Sequence, residues 1–75
     1  MTYADGTEVR HGDWVVNPGP VAPDWGQAVV MRRRIWVKWQ RRGEILSLVS
    51  ADHLEHYATK AEAKAAYLRL FRSRS

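Results

Sequence analysis

Three consecutive arginines, Arg32, Arg33 and Arg34, stand between two apolar runs, residues 26–31 and 35–39. A guanidinium is permanently charged and presents a fork of donors that matches a phosphate. Lys38, Arg41 and Arg42 follow closely, and Trp36 lies among them. In an extended chain, side chains alternate between faces. Arg34, Trp36, Lys38 and Gln40 then share one side, and Ile35, Val37 and Trp39 the other. The first side is a basic stripe with an indole in its middle. Such a stripe suits a phosphate backbone with a base stacked on the ring. The competing reading is a solvated outer face whose Trp36 is covered by another element.

Other chemistry is thinly represented. His53 and His56 are three apart and His11 is remote, with no cysteine in the chain. Two histidines without a further soft ligand or a zincin motif do not define a metal site. Ser47 and Ser50 have no base at a telling spacing, and no glycine-rich phosphate loop is present. The expectation is therefore no catalytic residue, no metal and no cofactor. Trp14, Trp25, Trp36, Trp39 and Tyr57 could form a cation-binding aromatic cage if their rings converged. Trp25, beside a proline-rich loop, is the best candidate for an exposed binding aromatic.

The elements that hold these residues follow from periodicity and punctuation. β-Branched and aromatic alternation over residues 35–39 predicts a strand, and the whole stretch 25–40 predicts a hairpin with arginines at its tip. A two-residue primed turn needs positive φ, which arginine disfavours, so the tip is expected to be longer. Gly26 marks a sharp bend or a close backbone approach. Trp14-Val15-Val16 predicts an earlier strand, and Thr7 to Arg10 a short one before it. Asn17 to Asp24 holds all three prolines and reads as a stiff loop. Arg41-Arg42-Gly43 predicts a turn with Gly43 in the left-handed region. Residues 44–49 predict another strand, residues 50–53 a helical turn capped by Ser50, and residues 55–57 a brief last strand.

The period then changes. Thr59 and Glu62 have capping-box spacing. Ala63, Ala66, Tyr67, Leu70 and Phe71 recur at helical spacing, predicting a helix from Lys60 to about Phe71. So short a helix is marginal alone, so its apolar face must dock on the sheet or on a partner. Trp25, Tyr67, Leu70 and Phe71 are accordingly the candidate partner-binding residues. The division expected is residues 1–58 as the β part, 59–72 as the helix and 73–75 as a frayed tail.

The chain has 75 residues and a formal net charge of +4. Residues 1–31 carry Arg10 against Asp5, Glu8, Asp13 and Asp24, a balance of −3. Residues 32–75 carry a balance of +7. The asymmetry points to an acidic partner. No apolar stretch approaches the length of a membrane span, and the first residues lack the pattern of a secretory signal. With no cysteine, the expected setting is cytoplasmic, without a membrane partner. The small size and basic balance fit an accessory gene of a phage or plasmid.

The order of short motifs resembles a known superfold. His11-Gly12-Asp13-Trp14-Val15, Trp25-Gly26-Gln27-Ala28-Val29-Val30, Ile35-Trp36-Val37-Lys38-Trp39, Gly43-Glu44 and Ser50-Ala51-Asp52-His53-Leu54-Glu55 together look like an SH3-like barrel of the Tudor or KOW type. The likeness covers about residues 9–57 and implies a mainly β fold, a five-stranded barrel with one C-terminal α-helix. It transfers no activity. Size and Trp25-Gly26-Gln27 are also similar to the plasmid-type (type II) dihydrofolate reductases, which build one site from four subunits around a Val-Gln-Ile-Tyr motif. The matching stretch here is Leu46-Ser47-Leu48-Val49, with Ser47 in place of the glutamine and Val49 in place of the tyrosine.

The expected function is a non-enzymatic basic module contacting nucleic acid through Arg32, Arg33, Arg34, Trp36, Lys38, Arg41 and Arg42. The alternative is a protein-interaction module using the proline-rich loop and the helix. A third reading is a homo-oligomeric barrel binding a small ligand.

Overall fold

A computed structural model describes residues 1–19, 23–41 and 43–72, the side chains of Phe71 and Arg72 excepted. Five antiparallel strands form one sheet, and one helix follows them. The strands are β1 (Trp14–Asn17), β2 (Asp24–Met31), β3 (Arg34–Trp39), β4 (Ile45–Leu48) and β5 (Glu55–Tyr57). A 3-10 turn, Ala51–His53, separates β4 from β5, and α1 spans Lys60–Arg72. The spatial order is β4-β3-β2-β1-β5. β2 and β3 are therefore interior, and β4 and β5 lie at the two ends. The mainly β class with one C-terminal helix is as the sequence pattern predicts.

Each strand alternates, and the sheet has two separate cores. On one face Val15, Ala28, Ile35, Val37 and Trp39 pack with Tyr3, Val9, Ala51 and Leu54. On the other, Val16 and Trp25 pack with Ala63, Ala66 and Tyr67 of α1. This explains why β2 is apolar on both sides. Burying each large aliphatic or aromatic side chain contributes about 1.5–3 kcal/mol before conformational entropy is subtracted. The helix lies across β1, β2 and β5. The first half of its capping box forms, the Glu62 backbone N–H donating to Thr59 Oγ1 at 3.2 Å, and the Thr59 hydroxyl donates to Glu62 Oε1 at 3.2 Å.

Three local expectations are corrected. Thr7 to Arg10 is not a strand; a single bridge, Thr2 to Glu8, stands in its place. With Val9 as its one apolar anchor, the segment had little to bury along a ladder. Ser50 precedes the 3-10 turn without a side-chain cap to the backbone, and its hydroxyl instead bonds Asp52 Oδ1. The third correction, at the hairpin tip, is described with the site below.

The N-terminal segment is tied down by polar contacts. Tyr3 Oη donates to Asp13 Oδ2 at 2.8 Å, and the Tyr3 ring stacks on His56 with centroids 4.3 Å apart. Burial first, then the hydrogen bond to Asp13 and the nearby carboxylates, push the Tyr3 hydroxyl above its ordinary range. Asp5 accepts the Thr7 backbone N–H at 2.9 Å and meets His56 Nε2 at 2.8 Å. The Thr7 amide, then the His56 contact, draw the Asp5 carboxyl down from 3.8 to about 2. A depressed folded-state pKa stabilises the fold above the unfolded value, and this is lost as pH falls through the folded value. Stability should therefore decline between pH 3.8 and about 2. Asp5→Asn should flatten that part of a pH series of urea midpoints; an unchanged slope would show that Asp5 does not contribute.

Candidate nucleic-acid interface

The register between β2 and β3 runs from Gly26 opposite Trp39 to Met31 opposite Arg34. Only Arg32 and Arg33 connect the strands, and both have positive φ, 51° and 62°. The expected longer connection is thus replaced by a two-residue turn with the sign of φ that a type I′ hairpin demands. The ladder is paired to its last residue, and strand twist favours the primed turn. The side chains accept a backbone that costs roughly 1 kcal/mol per residue or more.

That compact turn gathers the arginines. Arg32, Arg33 and Arg34 line one groove of about 640 Å³, whose remaining walls include Ile35, Leu48 and Val49. Among the described residues no carboxylate lines this groove, and none pairs with the three guanidinium groups. The site has concentrated positive charge at one rim and apolar surface beside it.

The rest of the expected basic set is placed differently. Lys38 Nζ pairs with Glu44 Oε2 at 3.3 Å, which offsets its charge near the end of β3. Arg41 lies at the far end of the sheet, about 20 Å from the tip by strand rise. Its backbone N–H donates to the buried Asp24 at 3.1 Å, and its side chain donates to the Pro23 carbonyl at 3.4 Å. Arg42 lies outside the described residues. The continuous stripe is therefore a correction: the charges divide between two ends of the sheet, with a neutralised pair between them.

Trp36 is half-buried on the α1 side of the sheet, opposite Val29 on β2 and Leu48 on β4. The helix-side core contains neither Trp36 nor any other β3 residue. Around Trp36 the same face carries Met31, Leu46 and Leu48, with 41–50% of their surfaces exposed. Sequence reasoning missed this apolar surface. Its signal was present in residues 45–49, apolar on both sides, a pattern normally read as a strand covered on both faces.

Three partner-binding candidates are otherwise engaged. Trp25 is only 8% exposed, beneath α1, with its ring centroid 6.2 Å from that of Trp14. Tyr67 is buried in the same cluster, and Leu70 packs against it. The exposed role expected for Trp25 is thus corrected, because the helix that follows the sheet needs a large apolar surface beneath it. The Phe71 side chain lies outside the described residues. The rings of the expected cage are also dispersed: Trp39 belongs to the opposite core, whereas Trp14 and Tyr57 adjoin the helix. Lys60 Nζ sits 5.7 Å from the Trp14 ring centroid, a cation–π contact within the fold.

Among the described residues, no group of three or more histidine or carboxylate side chains is placed to hold a metal ion, and no helix is long and apolar enough to cross a membrane. Comparison with models of protein families, with curated proteins and with solved structures finds no match for this chain.

Proposed function

We propose that this chain is a small SH3-like binding module that holds single-stranded nucleic acid at the β2–β3 hairpin tip. The strand order, with a 3-10 turn between β4 and β5, supports the SH3-like reading. The observation that carries the functional reading is the groove shared by Arg32, Arg33 and Arg34, with no acid among the described residues that line it and with mostly apolar walls. The arginines would contact successive phosphates. Leu48 and the neighbouring Trp36, which share one face of the sheet, would receive unstacked bases, which a paired duplex keeps inside its stack.

Labelled oligo-dT, oligo-rU and a mixed-sequence duplex, titrated by fluorescence anisotropy, test this. Binding of the single strands should weaken with salt. Three phosphate contacts give a slope of log affinity against log salt of about −2. Trp36 stacking should quench tryptophan emission. Absence of salt-sensitive binding at micromolar protein would overturn the proposal, and stronger binding to the duplex would overturn its single-strand part.

A further inference from the structure

We infer that a second copy of this chain pairs antiparallel with the outer edge of β4, about a two-fold axis at Ser47. β4 is a terminal strand of the sheet, with β3 on one side and no described strand on the other. Its side chains are unusually apolar for such a position. Ile45 is 57% exposed, and Leu46 and Leu48 are 41% and 50% exposed. An exposed apolar edge is a template for pairing unless charge, proline or a covering element blunts it. No charge or proline lies within Ile45–Leu48.

The backbone restricts the register. The Val49 N–H donates inward to the Ile35 carbonyl at 3.0 Å. Alternate residues direct their backbone groups to the same side, so Leu46 and Leu48 direct theirs outward. A two-fold at Leu46 would set Leu48 against Glu44, and one at Leu48 would set Leu46 against Ser50. With the axis at Ser47, Leu46 bonds reciprocally with Leu48 of the second copy, and Leu48 with its Leu46. On the opposite face Ile45 meets Val49 of the second copy. Only this register gives each of the exposed Ile45, Leu46 and Leu48 an apolar partner, that of Ile45 being the half-buried Val49.

Charge favours the same arrangement. Glu44 lies at one end of β4 and its carboxylate is on the Lys38 side of the sheet. Arg34, on that same side, lies beside the other end of β4. The two-fold brings Glu44 to within about 10 Å, two strand spacings, of Arg34 in the second copy. The two arginine tips remain roughly 25 Å apart along the joined sheet, beyond the screening length at physiological salt. The contact is a short ladder with four large apolar side chains from each copy, smaller than a standard interface, so the dimer should be concentration-dependent.

Cysteine cross-linking reads the register directly, since the chain has no cysteine of its own. At the axis, Ser47 faces Ser47 of the second copy as a non-hydrogen-bonded pair, with Cα atoms about 4.5 Å apart, within disulfide reach. Mild oxidation of Ser47→Cys should give a covalent dimer. Leu46→Cys and Leu48→Cys should each remain monomeric alone, because like positions lie roughly 8 Å apart, yet cross-link to each other when mixed. Sedimentation of the unmodified chain should show reversible dimerisation by about 100 μM. The inference is overturned if the unmodified chain stays monomeric there, if Ser47→Cys does not cross-link, or if all three variants cross-link alike. Circular dichroism of each variant confirms that the fold is intact. A second copy on this edge would cover Leu48 and Val49, which also wall the arginine groove, so nucleic-acid binding is measured below the dimerising concentration and each proposal fails on its own result.

Discussion

Gly26→Ala is expected to lose most of the folded population. A Cβ at this position would lie 2.2 Å from the Lys38 carbonyl oxygen and 2.9 Å from its carbonyl carbon. It would also meet Val37 Cγ1 at 3.1 Å. The oxygen is backbone, so no side-chain rotation relieves the clash. Gly26 pairs with Val15 on one side and Trp39 on the other, so a local shift would disturb both ladders. Overpacking alone costs about 1–3 kcal/mol, and displacement of a central strand more. A domain of this length has only about 4–11 kcal/mol in total. We expect a loss of about 3 kcal/mol or more, read from urea denaturation followed by circular dichroism. Gly43→Ala is the control. Its Cβ meets nothing within 4 Å, but φ is 73°, so the cost should be about 1 kcal/mol. Equal effects at the two positions would mean that conformational freedom, rather than the close approach, makes Gly26 necessary.

Arg32→Asn/Arg33→Gly is expected to move stability and binding in opposite directions. Both residues hold positive φ, and the paired register leaves no room for a longer turn. Asn-Gly is the sequence best suited to such a turn. The double variant should gain about 1–2 kcal/mol from relief of backbone strain. The same change removes two of the three charges along the groove. Affinity for single strands at low salt should fall roughly tenfold or more, and the salt slope should flatten by about 1.4. Unfolding midpoints and anisotropy titrations measure the two effects on the same samples. Raised stability with unchanged binding would remove the tip from the interface. Lowered stability would show that the turn is not strained. Together the expected results would mean that stability is given up at the tip to hold charge there.

Local patterns in the chain determine much of the architecture. Strict alternation at Ile35, Val37 and Trp39 can only bury one side of a strand, and it does so. The spacing of Ala63, Ala66, Tyr67 and Leu70 builds one helical stripe, which meets the sheet. Gly43 adopts positive φ, and Gly26 marks a close backbone approach, because both are demands a single residue type reveals. The arginine triplet declares a concentration of charge on its own.

Tertiary structure decided the rest. Period two divides a strand into two faces but does not say what covers each. Only the placement of α1 over β1, β2 and β5 buries Trp25 and leaves Trp36 half-exposed. The length of the tip depended on how far the β2–β3 ladder ran, and cooperative pairing overrode the conformational preference of arginine. Lys38 lost its place in a basic stripe to Glu44, which a turn with two positive-φ residues brings alongside. The apolar character of residues 45–49 was legible, but their position at an edge was not. Strand order is a long-range property, settled by which ladders can close around shared cores, and it places Leu46 and Leu48 at an open edge.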